Sequence, residues 1–207
     1  MEPDPKRGRF LAFEGGEGCG KSTQARMLAA DLAAVATREP GGTAVGSRLR
    51  DILLDPGIVD LVDRAEALLM AADRAQHLAE VVAPTLAAGR HVVSDRSVYS
   101  SIAYQGYGRG LPIAEVRSLS EWAADGVWPD LVVLLDVPQA MATRRLIGGL
   151  DRMERLGEAF HRRVADGFRE LAAGEPARWV VVDGTQRVDQ VAGAVREAVA
   201  ERLQLPV

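Results

Sequence analysis

The nine residues GGEGCGKST, from Gly15 to Thr23, have the composition and spacing of a loop that binds phosphate. They match the pattern G-x-x-x-x-G-K-[ST] and lie between an apolar run and a segment rich in helix-forming residues. Glycines let the backbone fold tightly, so that its N–H groups converge on an anion, and the following helix adds the positive end of its dipole. The residues predicted to contact the phosphates of a nucleotide are Gly15, Gly16, Glu17, Gly18, Cys19, Gly20, Lys21, Ser22 and Thr23.

Lys21 and Ser22 give this loop its chemistry. The lysine can reach the β- and γ-phosphates of a nucleoside triphosphate, and the serine hydroxyl can ligate Mg²⁺. Kinases, GTPases and ATPases share such a loop, but the sequence has no N-K-x-D motif of the kind that reads guanine. The GTPase interpretation is therefore disfavoured. Cys19, the only cysteine, is interpreted as a small residue of the loop and not as a redox group.

A second group of candidate residues follows the apolar run that ends at Asp95. Arg96 comes directly after this run and is suited to bidentate phosphate recognition. If the next segment is helical, polar side chains recur on one face at the spacing i, i+4, i+7 and i+8. These side chains are Ser97, Ser101, Tyr104 and Gln105. Their spacing fits a solvated surface as well as a binding site, and the neighbouring arginine favours the binding site.

Two further segments carry candidate residues for the same site. The turn REPGGT exposes Glu39 and backbone amides at the end of a predicted strand. The segment Ala67–Leu78 is predicted to be a helix that carries Met70 and Arg74 one turn apart. Separately, these two residues are consistent with a core methionine and a surface cation. Together, they could supply an apolar wall and a planar hydrogen-bond donor for a nucleobase.

The elements that must position these residues alternate along the chain. Continuous apolar runs typical of strands buried on both faces of a parallel sheet alternate with segments rich in Ala, Leu, Glu and Arg. This order predicts an α/β fold, a doubly wound five-stranded parallel sheet flanked by helices, with its site at the carboxyl ends of the strands. The five predicted strands are Arg9–Gly15, Ala34–Arg38, His91–Asp95, Leu131–Val137 and Trp179–Gly184.

Length and composition limit the class of protein. The 207 residues are 47% hydrophobic and 26% charged, which predicts one globular domain over 9–207 after a loose tail of residues 1–8. The net charge of 25 − 29 = −4 and the 5% aromatic content argue against a nucleic-acid partner. The apolar runs are too short to cross a membrane, and the N-terminus has no apolar signal region. A cytoplasmic location fits the single cysteine.

The basic stretch between the fourth and fifth predicted strands, at about 144–156, is predicted to be a lid that closes over a nucleotide. Gly148 and Gly149 would make it flexible. A solvated helical face with internal salt bridges is the alternative, because acidic and basic residues alternate here.

Taken together, these motifs resemble those of bacterial thymidylate kinases over nearly the whole chain. FEGGEGCGKST, TREPGGT, ALLMAADRAQH, SDRSVYSSIAYQGYGRGL, WPDLVVLLDV and LDRMER all match. The resemblance implies a P-loop NTPase fold with a helical lid, ATP and Mg²⁺ as co-substrate and cofactor, dTMP as acceptor, and a homodimer. A deoxynucleoside kinase is one alternative, in which Glu39 or Glu14 would have to serve as the carboxylate base for a hydroxyl acceptor. A nucleotide-binding module without catalysis is another.

The resemblance also implies roles for individual residues. Arg96 and Arg50 would hold the acceptor phosphate, Arg74 would bind the thymine ring, and Tyr104 would pack against the sugar. Ser101, Gln105, Glu39 and Met70 would complete the acceptor site, and Met70 stands where a phenylalanine is expected. The remaining predicted catalytic and metal-binding residues are Lys21, Glu17, Asp95, Ser22 and, in the lid, Arg152 with Arg145 in support. The lid is expected to supply the catalytic arginine because the phosphate loop carries Gly18, where some members of the family have arginine.

Overall fold

A five-stranded parallel sheet forms the centre of the molecule. The structure is a computed structural model and describes residues 7–145 and 150–206. The strands follow the order β2-β3-β1-β4-β5 across the sheet, and all four neighbouring pairs are parallel. Their bounds are β1 Phe10–Glu14, β2 Val35–Arg38, β3 Val92–Asp95, β4 Leu131–Asp136 and β5 Trp179–Asp183. The predicted fold class and all five predicted strands are confirmed.

Helices connect the strands and cover both faces of the sheet. Two of them contain wider, π-helical turns, at Leu78–Val82 after α3 and at Ile102–Gly108 after α5. The helices are α1 Lys21–Asp31, α2 Ala44–Leu54, α3 Asp63–His77, α4 Ala83–Ala87, α5 Val98–Ser101, α6 Ile113–Ala124, α7 Gln139–Arg144, α8 Glu158–Gly174 and α9 Val188–Leu203. None of the helices in the described ranges is long and apolar enough to span a membrane.

Strand β4 shows how the two cores form. Successive side chains of a strand point to opposite faces, and every residue of Leu131–Leu135 is apolar and buried. Val132 and Leu134 pack with α5, α6 and α8 on one face. Leu131, Val133 and Leu135 pack with α1 and α9 on the other. A continuous apolar strand is therefore required, because both faces are covered.

The register of the sheet aligns the strand ends that carry the candidate residues. Asp95 of β3 lies level with Phe13 of β1 and Arg38 of β2. The backbone then continues these pairings, because Glu39 N–H donates to the Asp95 carbonyl (3.0 Å) and Arg96 N–H donates to the Phe13 carbonyl (2.9 Å). The carboxyl ends of these strands therefore bring together the phosphate loop, the REPGGT turn and Arg96.

The structure corrects the predicted N-terminal tail. Gly8 is buried and donates its N–H to the Leu86 carbonyl (2.9 Å), and Arg7 pairs with Asp130 at 3.2 Å. The chain is thus attached to the domain before residue 9, because the N-terminal end of β1 lies against α4 and the start of β4. Residues 1–6 of the predicted tail lie outside the described residues.

The predicted helical lid is also only partly as expected. Helix α7 ends at Arg144, and the described residues 150–156 contain a turn at 152–155 and no helix. The Asp151 carboxylate accepts from the backbone N–H groups of Met153 and Glu154, both at 2.8 Å, which favours a local turn over a helix. The predicted flexible point at Gly148 and Gly149 lies outside the described residues.

Candidate functional site

A cleft of about 1000 Å³ opens over the phosphate loop at the carboxyl edge of the sheet. Gly20 adopts a left-handed backbone conformation, with φ of 100°, directly before helix α1. The Lys21 ammonium lies within the loop, where it donates to the carbonyls of Gly16 (2.7 Å) and Gly15 (3.2 Å). Strand, glycine turn, lysine and helix N-terminus thus have the arrangement that binds nucleotide phosphates.

Ser22 and Asp95 form an oxygen-rich group in the same cleft. The Ser22 hydroxyl donates to Asp95 Oδ2, and Asp95 Oδ1 is buried without a hydrogen-bond partner among the described residues. No cluster of three His, Cys, Asp or Glu side chains suited to a metal occurs in the part of the chain that the structure describes. One hydroxyl and one carboxylate fit Mg²⁺, which usually takes its other ligands from water and substrate phosphates.

Arg96 turns back from the end of β3 toward the phosphate loop. Its φ of 75° is unusual for a residue other than glycine, and such backbone strain is concentrated at functional sites. The guanidinium pairs with Glu17 and donates to the hydroxyls of Tyr104 (2.9 Å) and Ser100 (3.2 Å). Burial alone would lower the pKa of Arg96, but Glu17 raises it, so the side chain stays cationic.

Glu17 is held in its charged form by the same contacts. Burial alone would raise the pKa of this carboxyl, but Arg96 and Lys21 outweigh burial and lower the pKa to about 2. Tyr104 adds a hydrogen bond of 2.9 Å from its hydroxyl to Glu17. At neutral pH, Glu17 is therefore a fixed negative charge between two cations, and it is a weak proton acceptor.

A second, smaller cavity of about 70 Å³ lies beside the cleft. The polar face predicted from the spacing of Ser97, Ser101, Tyr104 and Gln105 lines it, and all four side chains are buried. The alternative of a solvated surface is therefore wrong. Half-buried Met70 also lines this cavity.

Arg74 is a buried cation of the second cavity. Its Nε donates to Glu39 (3.0 Å), and its Nη2 donates to the Ser101 hydroxyl (3.0 Å) and the Ser97 carbonyl (3.2 Å). Glu39 also contacts His77 Nδ1 at 2.9 Å. Burial alone would raise the pKa of Glu39, but Arg74 and His77 lower it. The guanidinium plane is thus fixed, and Nη1 has no partner among the described residues.

Four charged residues belong to the walls of both cavities, namely Glu17, Glu39, Arg50 and Arg96. Arg50 donates to the Pro40 carbonyl (2.9 Å). Burial, followed by repulsion from Arg38 and Arg96, lowers the pKa of Arg50. Cations that repel one another in this way are arranged to bind anions.

Sequence reasoning missed several residues of the site. Arg38 lines the cleft at the end of β2, and the strand-end rule that identified Arg96 could have found it. The positioning role of Glu14 was also missed: its carboxylate accepts from Ser97 N–H (2.8 Å) and from the hydroxyls of Ser97 (2.8 Å) and Ser100 (2.6 Å). These bonds fix the start of α5. No local pattern marks His77, because its bond to Glu39 depends on a tertiary contact between α3 and the turn after β2.

Comparison with known proteins agrees with this geometry. The thymidylate kinase family model matches residues 13–195. Thymidylate kinases of Bifidobacterium longum strain NCC 2705 and Trichlorobacter lovleyi are 47% and 46% identical, over 94% and 96% of this chain and 98% and 100% of theirs. The crystal structure of thymidylate kinase from Ehrlichia chaffeensis superposes with a TM-score of 0.77 at 30% identity, covering 93% of this chain and 98% of that one.

The chain belongs to the thymidylate kinase family.

Within this family framework, the structure does not bring the predicted lid arginine Arg152 to the phosphate loop. Its guanidinium donates to the Leu53 carbonyl (2.8 Å) and to buried Glu66 (2.6 Å), and Arg152 lines neither cavity. Arg145, its predicted support, does line the cleft and donates to the Gly184 carbonyl (3.0 Å). Local sequence could not show this difference, because the partner of Arg152 lies on α3.

The charge on Glu17 predicts a pH-dependent contribution to stability. The folded pKa of about 2 lies below the ordinary value of 4.5, so the unfolded state binds more protons between these values. The contribution is present above pH 4.5 and is lost as pH falls toward 2. The stability advantage of wild type over Glu17→Gln should therefore be about 2–3 kcal/mol at pH 7 and shrink steadily below pH 4.5.

Urea unfolding of both proteins at pH 7, 4 and 3 measures this change. Glu201→Gln, at an exposed position of α9, serves as the control and should show no comparable trend. A difference between wild type and Glu17→Gln that stays constant over this range would contradict the assignment.

Proposed function

We propose that this protein transfers the γ-phosphoryl group of ATP to dTMP, giving ADP and dTDP, in the cytoplasm, where both substrates are available. The observation that carries the proposal is the shared wall of the two cavities, where Arg50, Arg96 and Glu17 lie between the phosphate loop and the Arg74 pocket. A triphosphate in the cleft and a monophosphate in the second cavity would place donor and acceptor groups at one point. Membership of the thymidylate kinase family supports the identity of both ligands.

The reaction requires that two polyanions be held close together and in line. The acceptor phosphate is mostly a dianion at pH 7, because its second pKa is about 6, and it needs no strong general base. Lys21 would neutralise the donor phosphates, while Arg96 and Arg50 would hold the acceptor. Arg145 lines the donor side of the cleft, and we propose it, in place of Arg152, as the cation that approaches from the lid. Positioning and charge neutralisation supply most of the catalysis.

Ser22 and Asp95 would hold Mg²⁺ at the donor phosphates. The unpartnered Oδ1 of Asp95 is an oxygen suited to receive the ion or one of its waters. When bound, Mg²⁺ would neutralise part of the charge on the donor phosphates. In the described structure, the hydrogen bond from Ser22 to Asp95 holds the two side chains next to each other.

The deoxynucleoside kinase alternative requires a free carboxylate base for an uncharged hydroxyl acceptor. Glu14 is fully buried and accepts three hydrogen bonds from Ser97 and Ser100. Glu39 is occupied by Arg74 and His77. Both candidate bases are therefore committed to the structure of the site, which favours the monophosphate acceptor.

A substrate panel tests the proposed function directly. Purified protein with ATP and Mg²⁺ should turn over dTMP fastest among thymidine, dTMP, dCMP, dGMP and dAMP. Lys21→Ala should lower kcat for dTMP at least about 100-fold, because it removes a cation that stabilises the transferring group. ADP and dTDP formation are measured by chromatography. Turnover of thymidine without turnover of dTMP would refute the proposal.

We also propose a homodimer formed through α2, α3 and α6, which pack side by side. Large apolar side chains are exposed on these helices, including Trp122 (82%) of α6 and Leu68 (57%) of α3, with Val45 and Ile52 on α2. Exposed tryptophan in particular is enriched at protein interfaces. The face lies next to the acceptor cavity, because α3 also carries Met70 and Arg74.

Trp122→Glu should shift the protein from dimer to monomer, because a charge in the centre of an apolar interface is desolvated without a partner. Val181→Glu is the matched control, since Val181 is exposed (55%) on the edge strand β5 and should not affect assembly. Light scattering after size-exclusion chromatography gives the mass of each variant. A wild-type protein that is monomeric at tens of micromolar would contradict the proposed dimer.

A further inference from the structure

Glu66 of α3 is a fully buried carboxylate that the proposed chemistry does not use. Its Oε1 accepts from Gln105 Nε2 (3.0 Å) and Arg109 Nε (3.1 Å). Its Oε2 accepts from Arg109 Nη2 and Arg152 Nη2, both at 2.6 Å. Burial alone would raise the pKa of Glu66, but these hydrogen bonds, led by those from Arg109, lower it. Glu66 is therefore ionised at neutral pH.

An ionised carboxylate accepts hydrogen bonds and donates none. Gln105 must therefore turn its NH₂ group toward Glu66, and the carbonyl oxygen of the Gln105 amide then points away from Glu66. This Oε1 atom is buried and has no hydrogen-bond partner among the described residues. Gln105 is itself fully buried and lines the second cavity. Gln105 is thus a lining side chain of this cavity whose fixed amide has its oxygen left as a free acceptor.

Arg74 presents the complementary group. Its Nε and Nη2 are held by Glu39, Ser97 and Ser101, whereas Nη1 is buried and unpartnered in the described residues. Arg74 lines the same cavity. The cavity therefore offers one fixed donor and one fixed acceptor. A pyrimidine with a 4-oxo group and an N3–H satisfies both, whereas a 4-amino pyrimidine with a bare N3 opposes donor to donor and acceptor to acceptor.

We propose that Glu66 is a specificity-determining positioning residue. By fixing the amide orientation of Gln105, it makes the acceptor site accept 4-oxo pyrimidines such as thymine and reject 4-amino pyrimidines such as cytosine. The inference rests on the proposed function, because it assumes that the second cavity binds the base of a nucleoside monophosphate. Glu66 acts through Gln105 and does not contact the base. A buried mismatch of this kind is expected to favour 4-oxo over 4-amino pyrimidines by about 10- to 100-fold.

Glu66→Gln tests the proposal, because an amide at position 66 can either donate or accept, and Gln105 is then free to flip. The ratio of kcat/KM for dTMP to that for dCMP should fall at least about tenfold, mainly through KM. In a Gln105→Leu background, the same substitution should cause no further change in the ratio. Thermal denaturation with each monophosphate reports binding independently of turnover.

Arg152→Met is the matched control. It removes a partner of Glu66 Oε2 and leaves the bond from Gln105 to Oε1 in place. Its ratio of dTMP to dCMP should match that of wild type, whatever happens to stability. A lowered ratio in this variant would mean that any disturbance of Glu66 alters selectivity, and it would overturn the role of amide orientation.

Glu66→Asp is the second variant if Glu66→Gln does not fold. It keeps the charge opposite Arg109 and Arg152 but withdraws the carboxylate from Gln105 by one methylene, so the ratio should again fall. An unchanged ratio in either folded variant would overturn the inference. Failure of wild type to phosphorylate dTMP would instead refute the proposed function, so the two failures are distinguishable.

Discussion

The rest of the site depends on the ion pair between Arg96 and Glu17. Arg96 comes from the end of β3 and Glu17 from the loop after β1, and neighbouring strands bring them together. The left-handed backbone at Arg96 aims its side chain at the loop, and the hydroxyl of Tyr104 contacts both partners. This pair stands where the two cavities meet. A site for two anionic ligands must hold its cations in place without neutralising them fully.

Three buried carboxylates organise the acceptor side. Glu14 fixes the start of α5, Glu39 fixes the plane of Arg74, and Glu66 fixes Gln105 together with the segment that contains Arg152. Each accepts from more than one donor, so each orients side chains from a second or third element. Buried charges of this kind are costly unless they are fully hydrogen-bonded. Their number here indicates that these carboxylates serve to place hydrogen-bond donors precisely, more than to stabilise the fold.

The fold and the phosphate loop could be predicted from sequence because both are local patterns. Apolar runs identified all five strands, and the spacing from Gly15 to Ser22 identified the loop. The face of Ser97, Ser101, Tyr104 and Gln105 was predictable in spacing but not in burial, because burial depends on the packing of α3 and α8 against it.

The sequence could not show which charged side chains pair with one another, because these pairs form between residues far apart in sequence. Arg152 is 86 residues from Glu66, and His77 is 38 residues from Glu39. The family resemblance implied a catalytic arginine in the lid, because the phosphate loop carries Gly18, whereas a buried carboxylate on α3 determined where the Arg152 side chain lies. The residues that position others were missed for the same reason, since their own sequence context carries no signal.

The most direct test of the account is a crystal structure with dTMP, Mg²⁺ and a non-hydrolysable ATP analogue. The account predicts the analogue over the phosphate loop, thymine beside Arg74, and the dTMP phosphate within hydrogen-bond distance of the Arg96 guanidinium. The acceptor oxygen should lie about 3–3.5 Å from the γ-phosphorus. A dTMP phosphate bound away from Arg96 and Arg50, or a base outside the Arg74 cavity, would contradict it.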